Sequence, residues 1–234
     1  TENSNFFVSL EAGEYVLTLV ERGQRADLPF VVELLQRLHA AGLPVPYGVP
    51  TRSGECLREL ADKPALLQPR LAGKHIEQPN AHHCAEVGSW LARMHLCTQA
   101  QPLERRSDRG LDWMLSEGPL QALQLDGEAL ELLRASLAEV AQAQAAVLAL
   151  PRANLHADLF RDNVLFDGPH LSGVIDFYNA CSGPMLYDVA ITLNDWCSTA
   201  SGNLDLSRAR ALLAAYASLR PFHPAEAERW PCML

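Results

Sequence analysis

The sequence predicts an α+β protein in two unequal parts: a small β-sheet with one helix over residues 1–70, and a larger, mainly helical part over 71–234. Three observations predict it. The runs "SNFFVSL" and "EYVLTLV" flank the short turn "EAGE", the pattern of a β-hairpin. Next, "LPFVVELLQRLHAAG" places Phe30, Val31, Leu34, Leu35 and Leu38 on one helical face. Beyond residue 80 the apolar residues recur mostly at helical spacing.

Taken in order, the elements read as follows. Pro29 is tolerated in the first turn of the first helix, and Gly42 suits its C-terminal end. The stretch "LPVPYGVPTRSG", with three prolines and two glycines, is irregular. A short buried strand in "PALLQPRLAGKH" completes a β-β-α-β arrangement. In "NAHHCAEVGSWLARMHLCTQ" Asn80 is the expected N-cap, with a stripe of Val87, Leu91, Met94 and His95. Residues 119–149 form one long helix or two shorter ones. Two more helices are expected in "GPMLYDVAITLNDWC" and in "DLSRARALLAAYASL", the latter capped by Asp205.

Composition narrows the function. The content, 48% hydrophobic and 20% charged, is that of a globular protein. A net charge of -9 leaves no basic stripe for a nucleic acid. No run of 18 apolar residues predicts a membrane span. Six scattered cysteines read as reduced thiols of the cytoplasm. Several enzyme motifs are missing: there is no G-x-S-x-G, no H-E-x-x-H, no G-x-G-x-x-G and no P-loop. "HHC" at 82–84 with His95 and Cys97 mimics a metal cluster, but these residues lie at the two ends of one helix, about 18 Å apart.

The chemistry concentrates in "NLHADLFRDNVLFDGPHLSGVIDF", residues 154–177. Carboxylates are rarely buried unpaired, so apolar runs around His156, Asp158, Asp162, Asn163 and Asp176 need a reason. "VLF", "DGPH" and "LSGVID" read as a strand, a turn and a returning strand. With the turn centred on Gly168 and Pro169, Asn163 faces about Val174, and Asp176 falls near Arg161. Asp158, Asn163 and Asp176 then meet at one end of the hairpin as hard oxygen ligands suited to Mg²⁺. An Asp, an Asn five residues later and a second Asp beyond a hairpin match the catalytic arrangement of kinases. Asp158 would accept the proton of a substrate hydroxyl, and Asn163 and Asp176 would hold Mg²⁺ on the phosphates of ATP. His156 is expected to brace the loop, Asp162 to cap or face solvent, and Asp188 to cap its helix or brace the loop.

"HADLFRDNVLF" followed by "VIDF" resembles the aminoglycoside-phosphotransferase-like branch of the kinase fold, where His-x-Asp-x-x-x-x-Asn replaces His-Arg-Asp. The strings "TENSNFFVSL", "YVLTLVERG", "LHADLFRDNVLFDG" and "IDFYNACSGPMLYDVAITLNDWC" are similar to the homoserine kinases of that fold, in order along nearly the whole chain. The resemblance implies a two-lobed protein-kinase-like fold, with a nucleotide-binding lobe over 1–70 and a catalytic and substrate lobe over 71–234. It implies ATP and Mg²⁺ as cofactors and homoserine as acceptor, in threonine biosynthesis. Other acceptors of the same fold (an aminoglycoside or choline) and a non-catalytic nucleotide-binding relative are the alternatives. The family chain extends beyond both ends of this one, so its first strands and last helices are expected to lie outside this chain. Nucleotide contacts are implied at Asn3, Ser4, Asn5, Thr18 and Gln68.

Two departures stand out. The usual phosphate-binding lysine of the hairpin is replaced by Thr18, and the only two lysines, Lys63 and Lys74, lie elsewhere. Phosphate neutralisation then falls to Mg²⁺, to N–H groups of the "ENSN" turn or to an arginine such as Arg22. Without that lysine, the helix glutamate Glu33 has no evident partner. For a zwitterionic acceptor, Arg161 is expected at the carboxylate and Asp195 at the ammonium, with Tyr178 and Asn179 lining the same cleft.

Overall fold

A computed structural model describes residues 3–21 and 25–233, so Arg22 lies outside the described residues. The N-terminal lobe is a four-stranded antiparallel sheet in the order β1-β2-β4-β3, built from β1 (Ser4–Leu10), β2 (Gly13–Leu19), β3 (Leu57–Leu60) and β4 (Lys63–Pro69). The first three predicted elements and β4 are present. β3 is additional: it is an edge strand whose residues are mostly exposed, so it carries no apolar alternation to betray it. The helix α1 (Leu28–Ala40) buries Leu28, Val31, Leu34, Leu35 and Leu38, with Phe30 half-buried at its margin. Gly42 takes φ +76°, the left-handed conformation expected after a helix end.

The second lobe contains α2 (Ala81–Thr98), α3 (Leu111–Ala122), α4 (Gly127–Leu148), α5 (Met185–Cys197), α6 (Leu206–Leu219) and α7 (Pro224–Arg229). Both predicted N-caps form: the Asn80 side chain accepts from His83 N–H at 3.0 Å, and Asp205 accepts from Ser207 and Arg208. The 119–149 segment resolves into two helices, but the first begins eight residues earlier, at Leu111, and contains Pro119 in its interior. A proline marks a helix start more often than a middle. Here packing overrides the local signal, because Gly118 brings the α3 backbone against Leu137 of α4.

Short strands complete this lobe: β5 (Arg152–Leu155) pairs with β8 (Cys181–Pro184), and β6 (Val164–Asp167) with β7 (His170–Val174). β5 and β8 were not legible, being four residues each, and β8 holds both Gly and Pro. The core gathers Val87, Trp90, Leu91 and Met94 of α2 with Leu159, Phe166, Phe177, Trp196, Leu212 and Tyr216. Gly88 allows α2 to approach α6 so closely that an added Cβ would meet the Leu212 carbonyl oxygen at 2.2 Å. Among the described residues no helix is long and apolar enough to cross a membrane.

Candidate active site

The loop after β5 is held from below by a buried acid. Asp188, in the first turn of α5, has no exposed surface. Its carboxylate accepts from His156 N–H and Ala157 N–H, both at 2.8 Å, and from His95 Nε2 at 3.1 Å. Pro184, not Asp188, takes the N-cap position. Burial alone would raise the Asp188 carboxyl; hydrogen bonding and charge from His95, then His156, outweigh it and hold the group below its usual range. The bond to Ala157 matters because that residue takes φ +61°, a strained conformation for a non-glycine residue. His156 is itself buried; its Nε2–H donates to the Ile175 carbonyl at 3.0 Å, and its ring lies 4.6 Å from that of Phe177.

Asp158 follows at once, half-buried at the cavity wall. A 3₁₀ turn over Arg161–Asn163 folds Asn163 back, and its Nδ2 donates to the Asp158 carbonyl at 2.8 Å. That bond commits the amide nitrogen and leaves its oxygen to face another group. The hairpin register differs from expectation by one residue: a bulge at Leu165/Phe166 pairs Val164 with Val174, and Ile175 N–H reaches Asn163 O. Asp176 therefore comes beyond Asn163, at φ +64°, ψ +65°. Asp tolerates this left-handed region better than most residues, and the turn re-aims the chain so that Asn179 Nδ2 donates to Asp158 Oδ2 at 2.9 Å.

Asp158, Asp176 and Asn179 line a cleft of about 710 Å³ between the lobes. Asn3, Asn5, Thr18 and Gln68 border it from the sheet side; Asp158, Asp176, Tyr178 and Asn179 border it from the helical side. Thr18 is buried and donates to Asn5 Oδ1 at 2.7 Å, across the β1–β2 pair that sets these two residues opposite. Gln68 Nε2 donates to the Pro46 carbonyl. Tyr178 has its hydroxyl pushed up to about 12, first by burial and then by the charge of Asp176. Apolar walls come from Val16, Val31, Leu35, Leu66, Leu165 and Ile175, a surface suited to a flat heterocycle.

Other expected residues stand outside the cleft lining. Ser4 donates to Glu21. Asn163 sits behind Asp158 and is buried. Arg161 and Asp195 face one another: Arg161 Nε reaches Asp195 Oδ2 at 3.1 Å, and the Arg161 backbone N–H reaches the same oxygen at 2.8 Å. Glu33 is exposed and pairs with Arg37 one helical turn away. Lys63 pairs with Glu21 at 3.1 Å. Asp162 is exposed. Sequence reasoning missed Arg70 and Arg109, the arginines on the cleft wall among the described residues. Arg70 lies 4.7 Å over the Phe7 ring. Nothing local marks either residue; they reach the cleft only through the connections between elements.

The donor set suits a hard cation that brings its own oxygens. Among the described residues no group of three or more His, Cys, Asp or Glu side chains is placed to hold a metal ion. A carboxylate and an amide oxygen, completed by water and phosphate, would suit Mg²⁺.

Fold and site together are those of a kinase-like phosphotransferase. Residues 1–222 match the model of the phosphotransferase enzyme family, and the chain belongs to that family. It is 68% identical over its whole length to "Homoserine kinase" of Pseudomonas aeruginosa, covering 74% of that protein. It is 42% identical over 232 residues to "Homoserine kinase" of Methylobacillus flagellatus, covering 72% of it. Among solved structures, amicoumacin kinase hAmiN in complex with AMP-PNP, Ca²⁺ and Ami superposes with a TM-score of 0.76 at 14% identity, over 100% of this chain and 75% of that one. The microcompartment-associated aminopropanol kinase gives 0.72 at 20% identity, over 100% and 78%.

Proposed function

We infer that the chain transfers the γ-phosphoryl group of ATP to the side-chain hydroxyl of L-homoserine, giving O-phospho-L-homoserine and ADP. The observation that carries this reading is the 68% identity along the entire chain to proteins named homoserine kinase. The cleft supports the reaction type. Asp158 accepts the hydroxyl proton as the homoserine oxygen bonds to the γ-phosphorus and the bond to the β,γ-bridging oxygen breaks. Asn179 fixes the carboxylate through its 2.9 Å bond, which aims the basic oxygen.

Asp176 and the side-chain oxygen of Asn163 would hold Mg²⁺. Held there, Mg²⁺ would neutralise the phosphate charge that builds up during transfer. Asn3, Asn5, Thr18 and Gln68 contact the nucleotide from the sheet side, and Arg70 and Arg109 supply positive charge that no hairpin lysine provides. Tyr178 and Asn179 line the acceptor end. Arg161 and Asp195 shape that end through the loop, since each satisfies the other. His156 and Asp188 brace it. The cytoplasmic setting is part of this reading, and six cysteines without a disulfide-framework spacing are compatible with it.

A panel of acceptors tests the assignment: L-homoserine, choline and an aminoglycoside, each with ATP and Mg²⁺, followed by ADP release. Turnover with homoserine at least tenfold above the others supports the reading. Faster turnover with choline or the aminoglycoside transfers the enzyme to another acceptor class. Binding of ATP without turnover of any alcohol points to a non-catalytic relative.

A further inference from the structure

We propose that Arg105 is a positioning residue that couples helix α1 of the sheet lobe to the loop carrying Asp176. Its guanidinium lies between the two. Nη1 donates to the Tyr178 carbonyl at 2.7 Å and to the Ala180 carbonyl at 2.5 Å, two and four residues beyond Asp176. Nη2 pairs with Asp27 at 3.1 Å and with Asp108 at 3.2 Å. The guanidinium carbon also stands 5.8 Å from the Phe30 ring. The Arg105 carbonyl accepts from Ser182 N–H at 2.8 Å, so backbone and side chain grip the same segment.

Three further features support a role beyond packing. Asp27 stands at the N-cap position of α1, yet its side chain makes no cap bond; it is given to Arg105 instead. The connector around Arg105 is tied to α1 a second time, by Arg37 Nη1 to the Gln101 carbonyl at 3.0 Å. It is also tied to β5: Leu103 exchanges bonds of 2.9 and 2.7 Å with the side chain of Asn154, two residues before His156. One connector therefore touches the strand that leads into the catalytic loop, the segment just beyond Asp176 and the sheet-lobe helix. The Arg105 side chain is only 10% exposed, and its Nε is buried without a hydrogen-bond partner. Burying a guanidinium costs desolvation energy that an apolar side chain avoids, so stability alone is a poor reason to place one here. Protein kinases join their helix to the sheet through a lysine and a glutamate. In this chain Thr18 and the outward-facing Glu33 leave that link unmade, and Arg105 ties the helix to the opposite lobe.

The inference rests on the kinase reading. Its test uses Asp27→Ala, which removes the acidic partner of Arg105 at the start of α1, and Arg105→Lys, which keeps the charge but loses the fork. The readouts are the Mg²⁺ midpoint for binding a fluorescent ATP analogue, the melting temperature, and hydrogen exchange at 177–182. We expect the Mg²⁺ midpoint to rise about fivefold or more in both variants, beyond any loss of folded protein. Faster exchange at 177–182 is expected in Arg105→Lys. A lower melting temperature with an unchanged midpoint per folded molecule overturns the proposal and leaves Arg105 a structural residue. Wild-type protein that binds the analogue without Mg²⁺ dependence overturns both the proposal and the kinase reading. Wild type that binds with Mg²⁺ but does not turn over homoserine removes only the acceptor assignment, and the variant comparison still decides.

Discussion

The side-chain nitrogen of Asn179 lies 2.9 Å from Oδ2 of Asp158, although the two residues are 21 positions apart. The left-handed turn at Asp176 brings them together. One carboxylate oxygen is thereby held by an amide, and Asp158 itself stands in the cleft wall.

Replacing that amide by an acid should show its role. In Asn179→Asp two carboxylates face one another, and like charges resist joint ionisation. The acid limb of the pH–rate profile should move to higher pH, with the rate above pH 8 recovering only partly. An unshifted limb in the kcat profile would separate Asn179 from the base.

The brace beneath the loop is more costly to disturb. Asp188→Asn keeps the shape but turns one acceptor oxygen into a donor facing the N–H groups of His156 and Ala157. A buried charge network that loses one partner costs about 3 kcal/mol. Urea unfolding should show a midpoint lowered accordingly with an unchanged slope, and the activity of the folded fraction should fall because Ala157 is no longer held at φ +61°.

The same residue gives a pH dependence with a definite sign. Asp188 is held below its ordinary value of 3.8 in the folded chain. As pH falls through that ordinary value, the unfolded chain takes up a proton that the folded one refuses, so stability drops. The contribution is full above about pH 4 and is lost on going below it. Melting temperatures between pH 3 and 6 should decline below pH 4 in the wild type, and less steeply in Asp188→Asn.

Much of this arrangement was legible in the chain. The spacing of Asp158, Asn163 and Asp176 reports one 3₁₀ turn and one hairpin, both local and short. The bulge that shifts Asp176 by one residue left no mark: it adds Ser172 to β7 opposite the Leu165–Phe166 step, inside an ordinary-looking strand. Non-local pairings escaped altogether: β5 with β8, the two cleft arginines, and Arg105 with Asp27. Arg161 and Asp195 show why. Sequence chemistry assigned them to the two ends of one zwitterion, and in the fold they bond to each other. Opposite charges find one another as readily as they find a ligand.

The contact between α2 and α6 offers a test of the helical lobe by itself. In Gly88→Ala the new Cβ meets backbone of Leu212, which cannot yield as a side chain would. Overpacking of this kind costs about 1–3 kcal/mol. Thermal melting should fall by several degrees, while KM for ATP in the folded enzyme stays unchanged.

The proposed role of Asp158 is to take the proton of homoserine as phosphate arrives from ATP. Phosphorus NMR of ATP, Mg²⁺ and L-homoserine with the wild type and with Asp158→Asn measures this directly, alongside nucleotide binding. A phosphomonoester formed in equal amount with ADP is expected from the wild type. In Asp158→Asn the rate should be about 100-fold or more lower, with ATP·Mg²⁺ binding retained. ADP formed without phosphorylated homoserine, or a variant within twofold of the wild-type rate, would contradict it.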